Sequence, residues 1–281
     1  LPAKRLIGVG DLFAQDSIAL TKHLSVTAGV KLEDSTYTGL SPLPTLRLGW
    51  QATKKAFFWA AVSRAVRTPS RIDRELQAPG FVLPALDFTS EKLTAFEIGY
   101  RGQPLRTVSA SVSFYYNLYS DIRTTNVVSL SPFMAQLGND RYGDGYGLEA
   151  WATVQVLPNW RVMAGANLMR QELKVRSGVV TIGDYESIGD DPNYQLFLRS
   201  TITLPHNLRL TTGLRSIDAL PDPPIPHYTE LTARLGWQAT KQLELFVAGT
   251  NLIGPYHAET ANPPELLEPR RSVYVGLRRA F

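Results

Sequence analysis

Apolar and polar residues alternate with a period of two along nearly the whole chain of 281 residues. The clearest stretch runs from Arg106 to Thr124, where one parity is mainly apolar and the other mainly polar. A strand points successive side chains to opposite faces, whereas a helix would spread both classes around its circumference. This stretch is therefore predicted to be a strand with one apolar face and one polar face.

The same alternation recurs and predicts an all-β protein with about thirteen strands and no amphipathic helix. It is clearest over residues 24–33, 106–124, 146–156, 195–204 and 230–238. Weaker versions predict further strands over residues 4–20, 43–52, 55–66, 91–102, 159–172, 207–217, 242–252 and 271–281.

The predicted connections alternate between short and long. Tight turns are expected at residues 21–23, 51–55, 101–105, 157–159, 204–207 and 238–242. Longer links rich in glycine, proline and aspartate are expected at residues 34–43, 67–90, 125–144, 173–193, 218–227 and 253–270. In an antiparallel meander this order collects the tight turns at one rim and the loops at the other. Outer-membrane barrels sort their connections in this way, so the sequence predicts a transmembrane antiparallel β-barrel.

Composition narrows the function classes without identifying one. The absence of cysteine excludes a disulfide scaffold, a zinc-thiolate site and a cysteine nucleophile. A net charge of +4, with no block of like charges, gives no support for a nucleic-acid partner. The longest apolar run, Ala56–Val62, is too short for a spanning helix. Because Leu1–Arg5 opens no signal peptide, we expect a mature or truncated product.

Charged residues of both signs fall on the polar parity of the predicted strands. A sheet in lipid must satisfy every backbone polar group, which requires closure into a barrel. The apolar parity would then face lipid, and the charges would face a wide polar lumen. The predicted lumen residues are Lys31, Glu33, Arg47, Glu97, Glu149, Arg161, Arg199, Arg209, Arg215, Glu230, Arg234, Glu244 and Arg278.

Three tryptophans, Trp50, Trp160 and Trp237, each lie beside a predicted tight turn. This position predicts an interfacial aromatic belt, in which the rings sit at the level of the lipid headgroups. The segment Leu48–Lys54 recurs word for word as Leu235–Lys241. We interpret the repeat as the same local arrangement used in two hairpins: an outward tryptophan at the interface, followed by a polar turn. The alternative is that the two hairpins share this sequence by coincidence.

The C-terminal residues Val273, Val275, Leu277 and Phe281 alternate toward a terminal phenylalanine. This pattern is similar to the assembly signal of bacterial outer-membrane proteins, and Arg279 departs from it. The resemblance implies recognition by the barrel assembly machinery.

Several longer segments resemble TonB-dependent outer-membrane receptors and follow one another in that family's order. They are Ala56–Ser70, Phe96–Arg101, Tyr116–Ile122, Tyr146–Glu149 and Val247–Leu252. The chain thus resembles the C-terminal part of such a receptor, with residues 1–281 forming the last part of a 22-stranded barrel. The plug domain and the first strands are expected to be absent. The odd strand count also predicts a partial barrel. Bacterial single-chain barrels have an even number of strands, whereas an odd number places Leu1 at the loop rim when Phe281 lies at the turn rim.

The resemblance implies a receptor in the bacterial outer membrane, in contact with lipid and lipopolysaccharide. It implies uptake of a scarce ligand, most often a ferric siderophore or a similar metal chelate. Energy would come from the TonB complex through the missing N-terminal region. The sequence predicts no catalytic residue, no resident metal and no cofactor.

Candidate ligand contacts lie in the long links. Arg67, Arg71 and Arg74 occupy the longest one and are expected to attract an anionic chelate, because guanidinium groups pair well with carboxylate and phenolate oxygens. The alternative is that they contact lipopolysaccharide or other loops. The remaining candidates are Phe81, Tyr142, Tyr185, Tyr256 and His257.

Three alternatives stay open. An autotransporter translocator barrel would need a helix through the lumen before the first strand, but residues 1–20 alternate like a strand. An outer-membrane hydrolase could use His227 or His257, toward the loop rim, as its base, but no Ser, Asp or Glu lies beside them with the diagnostic spacing. His23 and His206 lie in predicted short turns, and a loop histidine is expected to be solvated. A soluble β-sandwich binding module is the third alternative.

Overall fold

A computed structural model describes residues 4–183, 191–221, 224–260 and 268–279. Within these ranges the chain is an antiparallel sheet with one short helix, α1 (Arg71–Glu75). The strands are β1 (Val9–Ala19), β2 (Leu24–Ser35), β3 (Gly39–Thr53), β4 (Ala56–Arg67), β5 (Val82–Leu83), β6 (Glu91–Leu105), β7 (Val108–Leu130), β8 (Phe133–Leu157), β9 (Trp160–Val175), β10 (Tyr194–Leu204), β11 (Leu208–Ile217), β12 (Tyr228–Gln238), β13 (Leu243–Thr250) and β14 (Ser272–Arg279).

The prediction of about thirteen meandering strands is confirmed. Strand order follows the chain from β1 to β4 and from β6 to β14, with consecutive strands as neighbours. The two-residue strand β5 is the exception and pairs in parallel with β8. Both β5 and α1 lie inside the predicted long link over residues 67–90.

The chain divides into two compact units. The first contains residues 1–99, 114–146 and 170–189, and the second contains residues 100–113, 147–169 and 190–281. No helix in the described part of the chain is long and apolar enough to cross a membrane.

The predicted long link over residues 34–43 is wrong. Strands β2 and β3 pair up to Ser35 and Gly39, so the connection is only three residues long. Pro42 and Pro44 suggested a loop because proline lacks the N–H that a central strand needs. They are tolerated because the pairing of β3 with β4 begins only at Thr45, which leaves their end of β3 paired on one side.

The predicted long link over residues 125–144 is also wrong. Strands β7 and β8 continue to Leu130 and from Phe133, so this link is a tight hairpin at the end of two very long strands. The alternation fades here because glycines interrupt it while the backbone pairing continues. Gly143 shows why glycine is needed: a β-carbon there would lie 2.0 Å from the carbonyl oxygen of Glu172.

Side chains alternate between an apolar and a polar face as predicted. In the second unit, Leu235 lies opposite Val247, which lies opposite Val275, and all three are exposed. On the other face, Glu244 lies opposite Arg278 and forms an ion pair with Arg234 at 2.9 Å. Exposed apolar side chains on one face and paired charges on the other match a sheet with lipid on one side and a polar interior on the other.

The same division holds in the first unit. Lys31 lies on the polar face and contacts Glu33 at 2.8 Å and Asp11 at 3.1 Å. Leu46 and Leu48 lie on the opposite face and are exposed. The buried hydrophobic cluster of the described residues is small: Ala85, Phe88 and Leu137. This cluster packs the link after β5 against β8.

Candidate ligand-binding site

The candidate site is built around helix α1, which begins directly after β4. Ser70 is its N-cap: the Ser70 hydroxyl accepts a hydrogen bond from the Asp73 backbone N–H at 3.3 Å. In return, the Asp73 carboxylate accepts one from the Ser70 backbone N–H at 2.8 Å. This reciprocal capping box satisfies two N–H groups that have no partner in the first turn. It holds a five-residue helix in a segment where the sequence predicts only a loop.

Arg67 fastens this helix to the sheet. Its Nε and Nη2 atoms donate to the two carboxylate oxygens of Glu91 at 2.6 and 2.8 Å, and its Nη1 donates to Asp73 at 2.9 Å. Arg123 donates to the other oxygen of Asp73 at 3.3 Å. The side chain of Asp73 is only 1% exposed. Burial raises the pKa of Asp73, but the hydrogen bonds from Arg67 and Ser70 outweigh it and hold that pKa below its usual range.

Glu75, at the end of the helix, collects three donors. Its carboxylate accepts hydrogen bonds from Arg71 at 2.8 Å, from the Tyr37 hydroxyl at 3.0 Å and from Arg5. The hydrogen bond from Arg71 is the largest cause that lowers the pKa of Glu75, to about 2. The carboxylate is therefore fully ionised at neutral pH and anchors the helix.

Arg74 differs from the other arginines of the segment. Its Nη1 donates to the Tyr37 carbonyl oxygen at 2.6 Å, and its guanidinium lies over the Tyr37 ring at 5.2 Å from the centroid. Within the described ranges it pairs with no carboxylate. The whole cluster, called here the α1 cluster, contains five arginines and three carboxylates and so carries a net charge of +2. Its charged members are Arg5, Arg67, Arg71, Arg74, Arg123, Asp73, Glu75 and Glu91.

A second set of charges lies in the same unit, at residues that the pattern of apolar and polar positions does not mark as a site. Asp121 accepts hydrogen bonds from Lys92 at 2.6 Å and from Arg176 at 2.9 Å. Asp121 has a positive φ of 58°, so the long strand β7 is irregular at this point. A positive φ in mid-strand has no signature in the pattern of apolar and polar residues.

The other aromatic candidates fall in different places. Tyr142 is exposed on β8, in the first unit, and Phe81 is exposed beside β5. Tyr256 is exposed in the second unit and forms an isolated bridge with Arg270. Tyr185 lies outside the described residues.

The expectation that His257 is solvated is wrong. His257 is buried, and its ring stacks on Tyr228 with centroids 4.0 Å apart. Its Nε2 lies 3.3 Å from Glu259, which also accepts a hydrogen bond from Arg215 at 2.8 Å. Tyr228 and Arg215 come from β12 and β11, so long-range pairing of strands creates this environment.

Each of the three belt tryptophans lies on the apolar face beside a tight turn. Trp50 is exposed and stacks on Phe58 with centroids 5.4 Å apart, and Trp237 is exposed opposite Leu245. Trp160 is half-buried and donates its indole N–H to the Ser200 hydroxyl at 2.9 Å.

The repeated segment contains a shared turn contact. Gln51 donates from Nε2 to the Thr53 carbonyl at 2.6 Å, and Gln238 donates in the same way to the Thr240 carbonyl at 2.8 Å. Gln155 makes the equivalent bond to Leu157 at 2.7 Å in a third hairpin. The glutamine therefore satisfies a turn carbonyl, which explains why it recurs at this position.

The apolar residues of the C-terminal pattern share one face of β14. Val273, Val275 and Leu277 are exposed, and they lie opposite Gly249, Val247 and Leu245 on β13. Phe281 lies outside the described residues.

Long meandering strands with one apolar and one charged face define the chain as part of a transmembrane antiparallel β-barrel. The family model "TonB dependent receptor-like, beta-barrel" matches residues 4–252, and the chain therefore belongs to that family. This membership leaves the autotransporter, hydrolase and β-sandwich alternatives without support.

Solved structures agree with this assignment. A variant of the ferric enterobactin receptor PfeA from Pseudomonas aeruginosa matches with a TM-score of 0.76 at 16% identity, over 97% of this chain and 45% of that receptor. The siderophore receptor PirA from Acinetobacter baumannii matches with a TM-score of 0.77 at 14% identity, over 97% and 46%. The copper transporter OprC matches with a TM-score of 0.74 at 14% identity, over 98% and 48%. The chain thus spans about half the length of each, and these likenesses establish the fold.

Proposed function

We propose that the protein containing this chain is an outer-membrane receptor that takes up an anionic ferric chelate with energy from the TonB complex. Residues 1–281 would supply the last part of its barrel. The plug domain, the first strands and the contact with TonB would belong to the N-terminal region. The three belt tryptophans would mark the lipid interface, and the C-terminal pattern ending at Phe281 would serve assembly.

The observation that carries this proposal is the uncompensated charge of Arg74. Arg67 and Arg71 already hold carboxylates, so their main contribution would be to position α1. The partners of Arg74 are a neutral carbonyl oxygen and a tyrosine ring. An anionic oxygen of a ligand would therefore accept a hydrogen bond from this guanidinium and balance its charge. A surplus of two positive charges in the α1 cluster favours the same class of ligand.

Two exposed tyrosines, Tyr142 and Tyr256, are proposed as further contacts, because phenol rings pack against aromatic chelators and hydrogen-bond to their oxygens. His257 is buried and would act by supporting the loop that carries Tyr256. Similar folds are described as receptors for ferric enterobactin and for siderophores, and one as a copper transporter. The fold alone therefore does not select the cargo, and it is the positive charge of the α1 cluster that favours an anion.

The test is binding of a ferric tricatecholate to the purified full-length receptor in detergent. We expect Arg74→Ala to weaken binding about ten-fold or more, the usual effect of losing a charged hydrogen bond, and Arg74→Lys to restore part of it. Arg106→Ala, in the turn at the opposite end of β6, is the matched control and should leave affinity unchanged. Equal affinity of Arg74→Ala and the unaltered receptor would end the proposal.

A further inference from the structure

The segment Leu48–Lys54, repeated as Leu235–Lys241, places a lysine four residues after an outward tryptophan. Trp50 and Trp237 are 49% and 46% exposed on the apolar face. Each lies between two strands of this chain, because β3 pairs with β2 and β4, and β12 pairs with β11 and β13. The exposure of both rings therefore does not depend on what covers the polar face or the edges of the sheet.

The turn that carries each lysine is closed by the same side-chain bonds. The Thr53 hydroxyl accepts a hydrogen bond from the Lys55 backbone N–H at 3.1 Å. At the same position of the second copy, the Thr240 hydroxyl accepts one from the Gln242 backbone N–H at 3.3 Å. The glutamine bond to the threonine carbonyl also recurs. Two side-chain hydrogen bonds thus fix the backbone at each lysine.

Every second connection of the sheet is free of negative charge. The connections after β1, β3, β6, β8, β10 and β12 contain no Asp or Glu, although the chain has 25 of these residues. Lys54, Lys55 and Lys241 are exposed, and none of them pairs with a carboxylate among the described residues. Because the tryptophan beside each lysine belongs to the apolar face, the partner expected for this charge is on the lipid side of the sheet.

A third hairpin shows that the tight turn itself does not require this arrangement. Gln155 makes the same bond to a turn carbonyl, but the turn residues are Pro158 and Asn159, which carry no charge. Trp160 beside them is half-buried, and its indole N–H already donates to a hydroxyl on β10. The exposed tryptophan and the lysine therefore occur together in the repeat for a reason other than closing the turn.

We propose that each copy of the repeat binds the headgroup of an anionic phospholipid. Exposed indole rings settle at the level of the headgroups, and a lysine at that level attracts the lipid phosphate. The long lysine side chain keeps its methylene groups against apolar surface while its ammonium group reaches the phosphate. Lys55 adds a second cation in the first copy. This inference rests on the proposed function, which puts the apolar face in an outer membrane.

The test is tryptophan fluorescence of the purified full-length receptor in vesicles of phosphatidylcholine. The probes are brominated phosphatidylglycerol, which is anionic, and phosphatidylcholine brominated on the same acyl chains, which has no net charge. The quenching that Trp50→Phe removes reports the lipid beside the first copy. We expect the anionic lipid to occupy this position about five-fold more often, and salt at about 0.5 M to remove most of this preference. Equal quenching by the two lipids would overturn the proposal.

Matched variants locate the two headgroup sites. Lys54→Gln combined with Lys55→Gln should remove the preference at Trp50 and leave it at Trp237, and Lys241→Gln should do the reverse. Lys31→Gln, which removes a charge from the polar face, should change neither. The quenching that Trp160→Phe removes should show no preference, because that turn has no lysine.

The outcomes separate this inference from the proposed function. If the lysine variants keep the preference for the anionic lipid, the lysines do not bind the headgroup and the inference fails. In that case chelate binding by the same protein leaves the proposed function intact. If neither brominated lipid quenches Trp50 or Trp237, the apolar face does not lie in lipid, and the inference and the proposed function fail together.

Discussion

Trp59 on β4 lies across Gly99 on the neighbouring strand β6, where a β-carbon would be 2.5 Å from the indole Nε1. Phe246 covers Gly276 in the same manner, and Phe197 covers Gly165. Each of these rings lies over the space that a side chain on the next strand would occupy. Each glycine and its aromatic partner therefore form one packing unit, although they are distant in sequence.

The first prediction concerns this unit. Gly99→Ala should lower the stability of the folded receptor by about 1–3 kcal/mol, because the methyl group forces the Trp59 ring out of its position. The measurement is urea-induced unfolding in detergent, followed by the gel shift that distinguishes folded from heat-denatured barrel. Gly10→Ala is the control, since a β-carbon there meets nothing within 4 Å. Equal losses in the two variants would show that the ring does not depend on the glycine.

The second prediction concerns the segment from Thr68 to Ser90. Asp73→Asn should weaken the charged hydrogen bonds from Arg67 and Arg123, at a cost of about 1.5–3 kcal/mol. Trypsin cleavage after Arg71 or Arg74 on intact cells should then become about ten-fold faster or more. Asp87→Asn, an exposed change in the same segment, should have no effect. An unchanged cleavage rate in the Asp73 variant would contradict the role given to that carboxylate.

A third prediction follows from the pKa of Glu75, which the Arg71 hydrogen bond lowers to about 2. A carboxyl group with a lowered pKa stabilises the fold above its usual value of about 4.5, and this contribution is lost as the pH falls from there toward 2. Hydrogen exchange of the α1 amides should therefore accelerate, relative to the intrinsic rate, only within this acidic window. In Arg71→Ala the lower end of this window should move to higher pH and the total acceleration should be smaller, because the largest cause of the lowered pKa is gone. Coincident profiles of the two proteins would refute this linkage.

The fourth prediction tests the repeated turn. Gln238→Ala should destabilise the β12–β13 hairpin by about 0.5–1.5 kcal/mol, the usual net value of one hydrogen bond, here the bond to the Thr240 carbonyl. Gln242→Ala, in the same turn, keeps that bond and serves as the control. The measurement is the urea concentration at the midpoint of unfolding. Equal shifts of this midpoint in the two variants would show that the hydrogen bond from Gln238 to Thr240 does not stabilise the hairpin.

Much of the fold follows from the sequence, because one face of each long strand is apolar and the other polar. Alternation locates strands such as β12 and β14, and it assigns Arg234 and Glu244 to one face. Alternation fails to predict a strand where glycines interrupt the apolar and polar pattern while the backbone pairing continues, as in β8 around Gly143. It also fails at Pro42 and Pro44, whose tolerance depends on where β4 stops pairing with β3.

The candidate site is less predictable for a physical reason. The sequence identifies Arg67, Arg71 and Arg74 as neighbours, but their different roles depend on Glu91 and Tyr37, which lie on other strands. The burial of His257 against Tyr228 has the same origin. Contacts of this kind are set by strand pairing at long range and have no local signature.

The most direct test of the central claim is uptake of radioactive iron, supplied as a ferric tricatecholate, by cells that carry the full-length receptor as their sole siderophore receptor. Uptake should be saturable in cells with a working TonB complex and should fall to the level of receptor-free cells when TonB is deleted. Uptake that continues at the same rate without TonB would contradict the assignment of this protein as an energised outer-membrane receptor.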